Sequence, residues 1–309
     1  MENLTIGVVG LGRMGLSIAK RLKLAGFAVT GFDLDQTKAE AVERLGIVYA
    51  PTLQALSEVA RVFWVMVPAG DATRQTLSQL ANYTRPDDIV IDGGNSFYKD
   101  SQQHVQLFAS KRVHFLDCGV SGGLHGGDLG YSIMVGGRKP IFTRVEPILK
   151  ALAAPGGYAL VGISGAGHYV KMVHNGIEYA LLQAYGEGFH LLKEGPYEDL
   201  DLAQIAGVWN HGSIIRSWIC DLAHEVLLRD QELLHVSGKI GENGTGSWTV
   251  EAAREHDVNI PLIKEAVRVR AWSRTSGGDY ATKMVAMLRR EFGGHPIARV
   301  TLEETNERD

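Results

Sequence analysis

The chain has 309 residues, 45% of them apolar and 21% charged, which is typical of a globular protein with one or two sizeable cores. Lys and Arg number 31 against 35 Asp and Glu, and the resulting formal net charge of −4 argues against a nucleic-acid binder held by phosphate contacts. No apolar run is long enough to span a membrane, and no basic segment precedes an apolar one at the N-terminus, so we expect neither a membrane span nor a signal peptide. The two cysteines are too few for a disulfide framework. Together these features lead us to expect a cytoplasmic protein.

Strand-like and helix-like segments alternate through the first half of the chain. Short apolar runs predict buried strands at residues 4–10, 27–32, 62–67, 89–92, 113–118, 131–135 and 158–161. Amphipathic stretches between them predict helices, for example at residues 16–24, 36–45 and 72–80. Apolar strands that alternate with helices indicate βαβ units and a parallel, doubly wound sheet, and therefore an α/β fold.

The second half of the chain has few strand-like runs and is predicted to be helical. Helices are expected at residues 167–194, 200–209, 213–228, 249–256, 262–275 and 280–292. A segment rich in Gly and Ser at residues 162–165 separates the two patterns. We therefore expect an α/β domain at residues 1–163 and an all-α domain at residues 164–309.

A GxGxxG motif ends the first predicted strand and opens the first predicted helix. Gly10 permits the tight turn, Gly12 lets a pyrophosphate approach the backbone, and Gly15 lets the helix pack closely on the strand. The N–H groups at the start of the helix then face the phosphates. In this context the motif predicts a Rossmann-type dinucleotide-binding domain. The predicted cofactor-binding residues here are Gly10, Leu11, Gly12, Arg13, Met14 and Gly15.

The second predicted strand ends near Asp33, about 20 residues beyond the motif. A carboxylate at this position accepts hydrogen bonds from the adenosine ribose hydroxyls and repels a 2′-phosphate. Because no Arg takes its place, NAD is favoured over NADP. The alternative is a helix cap, a role that suits Asp35 and that Asp33 could share.

Two later strands end in loops rich in Gly or Pro, at residues 65–70 and 92–96. Ligands of open α/β sheets gather outside the carboxyl ends of the strands, so these loops suit the nicotinamide side of the cofactor. The predicted contacts are Val67, Pro68 and Asn95, whose amide can bond both a ribose and a substrate hydroxyl. Ordinary strand-to-helix turns are the alternative.

Ser121, Gly122 and Gly123 follow another predicted strand. A Ser hydroxyl beside exposed backbone N–H groups makes a concavity that binds anions and suits a carboxylate. No GxSxG elbow is present, so Ser121 is not predicted to be a nucleophile.

The first helix of the second half carries chemically active groups on one face. Lys171, Asn175 and Glu178 fall within about 60° of one another on an α-helix, and His174 and Tyr179 flank them. The opposite face is apolar and is expected to lie in the core; it comprises Val173, Ile177, Ala180, Leu181 and Ala184. An exposed helix with hydrated charges is the alternative. No metal site is expected, because His174 and Glu178 supply only two ligands.

These motifs occur in the order found in 6-phosphogluconate dehydrogenases, a family that the chain resembles almost end to end. The Gly-rich motif, the Ser-Gly-Gly segment and a helical Lys are shared with the wider β-hydroxyacid dehydrogenase superfamily. Residues 171–179, 247–248 and 289–295 are typical of the phosphogluconate branch, with the sequences KMVHNGIEY, SW and RREFGGH. The length resembles the short form, which lacks a second copy of the helical domain and tends to use NAD. The resemblance thus implies an NAD-binding domain and a helical domain for substrate binding and oligomerisation.

The resemblance implies oxidative decarboxylation of 6-phospho-D-gluconate to D-ribulose 5-phosphate and CO2 with reduction of NAD, in the pentose phosphate pathway. Lys171 takes the proton of the 3-hydroxyl and later protonates the keto oxygen, and Glu178 then protonates C1. The resemblance also assigns the substrate contacts: the carboxylate to Ser121, Gly122, Gly123 and His174, the hydroxyls to Asn95 and Asn175, and the phosphate to Tyr179, Thr245, Arg270, Arg289 and His295.

In relatives the C-terminal Arg and His come from a neighbouring subunit. The resemblance therefore implies a homodimer or homotetramer in which the segment of Arg289 and His295 reaches a neighbour's site. Two local departures matter: Asn243 stands where long forms have a Lys that touches the phosphate, and Leu124 and His125 stand where long forms have Glu residues near the nicotinamide.

Two other functions remain open. A β-hydroxyacid dehydrogenase that acts on a small 3-hydroxy acid without decarboxylation would keep Lys171 but would need neither Glu178 nor the Arg/His tail. A catalytically silent NAD(H)-binding protein would change shape with NADH but would release no CO2. Neither a nucleic acid nor a membrane is expected as a partner.

Overall fold

The computed structural model describes residues 5–242 and 244–298. The chain divides into two compact units, residues 1–173 and 174–309. The α/β character of the first unit and the helical character of the second confirm the predicted fold class. The predicted domain boundary after residue 163 stays a prediction.

The first unit is built on an eight-stranded sheet. Its strands are β1 (Thr5–Val9), β2 (Ala28–Phe32), β3 (Val48–Tyr49), β4 (Val62–Val65), β5 (Ile89–Asp92), β6 (His114–Ser121), β7 (Tyr131–Gly136) and β8 (Ala153–Gly162). The spatial order is β3-β2-β1-β4-β5-β6-β7-β8, so β1 and β4 are neighbours at the point where the chain reverses direction across the sheet. Ligands bind beside such a switch point in open α/β sheets.

The sheet is parallel except where β7 runs antiparallel to β6. The predicted parallel, doubly wound sheet is thus confirmed as a mostly parallel one, and β6 with β7 is a departure that was not predicted. The reason is the connection: residues 122–130 are fewer than the dozen or so that a parallel crossover requires. The two-residue strand β3 was not predicted, because two residues are too few to show a strand pattern.

The helices of the first unit cover both faces of the sheet. They are α1 (Arg13–Leu24), α2 (Ala39–Glu43) after a 3-10 turn at Gln36–Lys38, α3 (Leu53–Val59), α4 (Asp71–Leu80), α5 (Tyr98–Ala109), α6 (Gly126–Leu129), α7 (Lys139–Leu152) and the start of α8 (Ala166–Lys193). Successive residues of β4 enter different cores, Trp64 on one side of the sheet and Phe63 and Val65 on the other. Because both faces are buried, the strands are continuous apolar runs rather than alternating ones.

Among the residues that the structure describes, the second unit contains the rest of α8 and five further helices: α9 (Leu202–Asn210), α10 (Trp218–Arg229), α11 (Thr245–Glu255), α12 (Pro261–Ser276) and α13 (Tyr280–Gly293). The helix predicted from residue 213 begins only at Trp218, because the hydroxyl of Ser217 caps it by accepting from the N–H of Cys220 at 3.1 Å. The core of this unit packs Leu182 and Phe189 against α10 and α13. Across the described part of the chain, we find no helix with the length and apolarity to cross a membrane.

Candidate active site

The Gly-rich turn between β1 and α1 has the geometry of a dinucleotide site. Gly10 has a φ of +88°, and a Cβ there would lie 2.5 Å from the carbonyl oxygen of Met66. A Cβ on Gly15 would collide with the carbonyl oxygen of Gly10, so each position requires glycine. A Cβ on Gly12, by contrast, would meet nothing within 4 Å among the described residues. Gly12 caps α1 and leaves the room that a pyrophosphate needs at a helix N-terminus.

Asp33 is held by its neighbours beside this turn. Its Oδ2 accepts from the N–H of Leu11 at 2.6 Å and pairs with Nζ of Lys38 at 2.9 Å, and its Oδ1 accepts from the N–H of Asp35. Partial burial raises the pKa of Asp33, but these hydrogen bonds outweigh it and hold the pKa below its usual value. The carboxylate is thus ionised at the position predicted to hold a ribose.

The capping role falls on Asp35, whose Oδ1 accepts from the N–H of Thr37 at 3.1 Å at the start of the 3-10 turn. The partner of Asp33 that the sequence analysis missed is Lys38. No motif identifies it, although a cation five residues after an acid was a visible signal.

The loops predicted at the nicotinamide side lie beside the Gly-rich turn. A Cβ on Gly10 would come 2.8 Å from Cγ1 of Val67, and the carbonyl oxygen of Pro68 accepts from Oγ1 of Thr73. The next loop is shaped by Asp92, which is fully buried and accepts from the N–H of Gly94 and the hydroxyl of Ser96. These bonds build the turn that leaves Asn95 partly exposed.

Ser121 ends β6 and is followed by two glycines with positive φ, +129° at Gly122 and +53° at Gly123. These values favour glycine and fit the predicted anion concavity. Leu124 is 43% exposed, and His125 is the N-cap residue of α6. The roles of all five residues stay predictions.

Helix α8 carries Lys171, and a residue of β6 fixes the first turn of this helix. The fully buried carboxylate of Asp117 accepts from the N–H of Gly165 at 2.6 Å and from that of His168 at 3.0 Å, and so caps the helix. A Cβ on Gly119 would collide with Cβ of Lys171. Lys171 itself is only 8% exposed. Asp117 was not predicted, because a cap supplied by a distant strand leaves no local pattern.

The predicted orientation of α8 is wrong. The face that carries Lys171, Asn175 and Tyr179 is the buried one. The apolar face is the exposed one, with Ile177 at 51% and Leu181 at 45%. Helical periodicity separates the two faces correctly, but the assumption that the apolar face enters the core fails here. Lys171 and Glu178 both lie in α8, as predicted.

Four residues of the second unit form what we call the Arg270 cluster: Tyr179, Thr245, Arg270 and Arg289. The guanidinium carbon of Arg270 lies 3.2 Å from the centroid of the Tyr179 ring, and the phenol oxygen is 3.4 Å from Oγ1 of Thr245. A Cβ on Gly241, in the loop before α11, would lie 3.9 Å from Nη1 of Arg289. The members are all buried, and Arg270 is only 2% exposed.

The two arginines of this cluster are in an unfavourable environment for a cation. Both terminal nitrogens of Arg270 are buried and have no hydrogen-bond acceptor among the described residues. Burial lowers the pKa of Arg270 to about 10; the electrostatic influence of Tyr179 opposes this and the charge of Arg289 adds to it. Burial also lowers the pKa of Arg289. A desolvated pair of cations is the arrangement that a bound dianion stabilises.

The structure also describes three further predicted site residues, His174, Glu178 and His295. Nδ1 of His174 lies 3.1 Å from Oδ1 of Asn175. Glu178 is partly buried, and its charge raises the pKa of both clustered arginines. His295 packs edge-on against Phe292 with ring centroids 6.2 Å apart. Asn243 lies outside the described residues. Within residues 5–242 and 244–298, no group of three His, Cys, Asp or Glu side chains is placed to hold a metal ion.

Comparison with known proteins matches both units to one family. Residues 5–168 match the family model described as the NAD binding domain of 6-phosphogluconate dehydrogenase. Residues 167–300 match the model described as the C-terminal domain of 6-phosphogluconate dehydrogenase. A relative in Haloferax volcanii, named as an NAD(+)-dependent, decarboxylating 6-phosphogluconate dehydrogenase, is 42% identical over 95% of this chain and 98% of its own length.

Two solved structures resemble the chain. The 6-phosphogluconate dehydrogenase of Plasmodium falciparum has a TM-score of 0.81 and 28% identity, over 88% of this chain and 62% of the longer one. The 3-hydroxyisobutyrate dehydrogenase of Mycobacterium tuberculosis has a TM-score of 0.74 over 91% of this chain and 98% of its own, at 23% identity. The second likeness concerns the fold alone.

Proposed function

The chain belongs to the 6-phosphogluconate dehydrogenase family, and on that premise we propose that it oxidatively decarboxylates 6-phospho-D-gluconate to D-ribulose 5-phosphate and CO2 with NAD as oxidant. This reaction would place it in the pentose phosphate pathway. The observation that carries the proposal is the Arg270 cluster. Two buried guanidinium groups, one of them without an acceptor on its terminal nitrogens among the described residues, fit a phosphate dianion.

NAD fits the residues around the Gly-rich turn. Gly12 leaves open space over the N-terminus of α1, and the ionised Asp33 favours ribose hydroxyls over a 2′-phosphate. Leu11, Arg13 and Met14 supply the intervening backbone, and Val67, Pro68 and Asn95 are the proposed contacts on the nicotinamide side. When bound, NAD accepts the hydride from C3 of the substrate.

Lys171 is the proposed base and acid. Its amino group takes the proton of the 3-hydroxyl during oxidation and returns a proton to the keto oxygen when CO2 leaves. The burial of Lys171 and the fixed first turn of α8 support this role, because a proton acceptor must be oriented and shielded from water. Glu178 is the proposed acid that protonates C1 of the enediol.

The other polar residues are proposed to orient the substrate. The carboxylate is assigned to Ser121, Gly122, Gly123 and His174, and the hydroxyls to Asn95 and Asn175. The phosphate is assigned to the Arg270 cluster and to His295. A small unphosphorylated 3-hydroxy acid would leave the buried arginines of the cluster without a counter-ion, which argues against that class of substrate.

The test follows NADH by its absorbance while the released CO2 is trapped. We expect NADH and CO2 in equal amounts with 6-phosphogluconate, faster with NAD than with NADP. Gluconate is the matched control, because it lacks only the phosphate, and it should give far less turnover. NADH without CO2 would instead establish a non-decarboxylating hydroxyacid dehydrogenase, and binding of NADH without turnover a silent binding protein.

We also propose that the protein is a homo-oligomer, a dimer or a tetramer. The exposed apolar side chains of α8 and α12 support it, since Ile177, Leu181, Leu262 and Trp272 are each more than 40% exposed in the single chain. Light scattering on the purified protein tests it; a monomer at all concentrations would contradict it.

A further inference from the structure

Within the first unit, helix α5 packs directly against the first turn of α8. A Cβ on Gly165, at the turn that opens α8, would lie 3.2 Å from Cγ of Gln102 and 3.3 Å from the carbonyl oxygen of Tyr98. The rings of Tyr98 and Tyr169 meet edge-on, with their centroids 5.1 Å apart. Because Gly165 also has a φ of +97°, the close approach of the two helices favours glycine at this turn.

A hydrogen bond between two buried side chains joins these helices. Nδ1 of His168 lies 2.7 Å from Oγ of Ser101, and the two side chains are 1% and 0% exposed. The other ring nitrogen of His168, Nε2, is buried and has no hydrogen-bond partner among the described residues. The bond to Ser101 is therefore what fixes the direction of the imidazole ring.

Stability alone does not account for this polar pair. A buried ring nitrogen without a partner costs free energy, and an apolar pair of the same shape can stabilise a core as well as a hydrogen-bonded pair does. A hydrogen bond differs from an apolar contact because it fixes both a distance and a direction. The bond between Ser101 and His168 is therefore suited to setting the position of α8 against α5.

Both ends of the bond lead to residues of the proposed site in the same unit. Ser101 lies in the helix that follows the loop of Asn95, on the proposed nicotinamide side. His168 precedes Lys171 in α8 by one turn, about 4.5 Å along the helix axis and on nearly the same side of the helix. A displacement of the helices at this bond would therefore move the amino group of Lys171 relative to the cofactor loop.

We infer that His168 is a positioning residue: through its bond to Ser101, it sets the amino group of Lys171 relative to the nicotinamide side of the bound cofactor. The inference rests on the proposed function, since it concerns the proposed role of Lys171 as base and acid. His168 acts through Lys171 and is not itself proposed to bind substrate or to exchange a proton. Because a displacement of about 1 Å at a reacting group can lower a rate about 100-fold, the loss of this bond should appear in kcat.

Ser101→Ala tests the inference, because it removes the hydroxyl and fits the same space. We expect kcat with 6-phosphogluconate, per folded protein, to fall roughly tenfold or more, while KM for NAD changes less than about twofold. Ser57→Ala is the matched control: Ser57 is 3% exposed, and its hydroxyl donates to the carbonyl oxygen of Gln54 at 2.7 Å, outside the contact of α5 and α8. The control should lose stability and keep kcat. Equal kcat values for the two variants would overturn the inference.

Variants of His168 separate positioning from packing. His168→Leu fills the space without a hydrogen bond and should lose kcat as Ser101→Ala does, whereas His168→Asn keeps a polar group near the place of Nδ1 and should recover most of the loss. The double variant of Ser101→Ala with His168→Leu should lose no more kcat than the poorer single variant, because both break the same bond. Losses that multiply, or no recovery in His168→Asn, would overturn the inference. If His168→Leu fails to fold, the comparison of Ser101→Ala with Ser57→Ala decides alone.

Failure of the proposed function gives a different result. Wild-type protein that binds NAD without turning over 6-phosphogluconate would refute the function, and hydrogen exchange followed by mass spectrometry then tests the link between the helices by itself. At saturating NAD, we expect amide exchange at residues 168–171 to slow in wild type and roughly tenfold less in Ser101→Ala, while exchange at residues 93–96 slows equally in both. Equal slowing at residues 168–171 in the two proteins, or none in wild type, would overturn the inference.

Discussion

The guanidinium of Arg270 stacks 3.2 Å from the ring centroid of Tyr179, deep enough that neither side chain exceeds 3% exposure. The ring stabilises the cation by its face but offers the terminal nitrogens no acceptor. The Tyr179 ring therefore positions the charge of Arg270 without neutralising it. A positioned and unneutralised guanidinium group suits the binding of an anionic ligand.

We expect Arg270→Met to raise KM for 6-phosphogluconate roughly 10- to 100-fold, because charge-assisted hydrogen bonds contribute about 1.5–3 kcal/mol. KM for NAD should change little. The matched control is Arg268→Met in the same helix, since Arg268 pairs with Glu265 at the surface. Steady-state kinetics with both substrates checks this. Equal effects of the two substitutions would contradict the role of Arg270 at the phosphate.

The second prediction concerns cofactor choice at Asp33. Asp33→Asn removes the charge that repels a 2′-phosphate and releases Lys38, which now pairs with Asp33 at 2.9 Å, to face that phosphate. We expect the ratio of kcat/KM for NAD to that for NADP to fall at least tenfold, corresponding to about 1.4 kcal/mol. Asp35→Asn is the control, because Asp35 caps the following turn and should not alter the ratio.

A second variant separates the effect of the Asp33 charge from the effect of Lys38. The double variant Asp33→Asn, Lys38→Ala should lose most of the gain with NADP, since the amino group that would face the 2′-phosphate is then removed. If the double variant used NADP with the same kcat/KM as the single variant, Lys38 would have no role in binding the 2′-phosphate.

How far the sequence predicts this molecule depends on the range of the interactions involved. The Gly-rich turn and Asp33 follow from local spacing, because the strand, the turn and the helix that form the site are contiguous. The antiparallel strand β7 was predictable from the length of its connection, although the alternation of elements pointed to a parallel one.

Other features depend on tertiary contacts that leave no periodic signal. The cap of α8 comes from Asp117, nearly fifty residues earlier, and the partner of Asp33 is a lysine on the next turn. Periodicity divides α8 into two faces but does not say which of them is buried. The exposure of Ile177 shows that hydrophobicity alone does not identify the buried face of this helix. Arg270 and Arg289 lie on different helices, so only the family resemblance pointed to them.

The third prediction tests how β6 holds Lys171. Gly119→Ala places a methyl group against Cβ of Lys171, and the helix must shift to accommodate it. We expect a loss of about 1–3 kcal/mol in the free energy of unfolding, as for overpacked cores, and a fall in kcat larger than the change in KM for NAD. Denaturant unfolding and steady-state kinetics measure the two effects.

Gly188→Ala is the matched control, because Gly188 lies in the same helix as Lys171, but a Cβ there meets nothing within 4 Å among the described residues. It should leave kcat unchanged and stabilise the helix by about 0.5–1 kcal/mol. If Gly119→Ala behaved like this control, close packing of β6 on α8 would not be what orients Lys171.

The fourth prediction concerns acid stability and His104. This side chain is 6% exposed, packs edge-on against Phe115 at 6.0 Å, and its Nδ1 has no hydrogen-bond partner among the described residues. Burial lowers the pKa of His104 below its ordinary value of 6.5, with the carboxylates of Asp92 and Asp100 opposing the shift. The folded protein therefore keeps His104 neutral at a pH where the unfolded chain has already taken up a proton.

Because the unfolded state then binds more protons at His104, the contribution of this residue to the free energy of unfolding falls as the pH drops below 6.5, down to the lowered pKa of the folded state. We expect His104→Gln, which cannot be protonated, to lose less thermal stability than wild type between pH 7.5 and pH 5. His256→Gln, a substitution of an exposed histidine, should follow the wild-type curve. Thermal unfolding at a series of pH values measures the difference. Parallel curves for wild type and His104→Gln would mean that His104 takes up a proton as readily in the folded protein as in the unfolded chain.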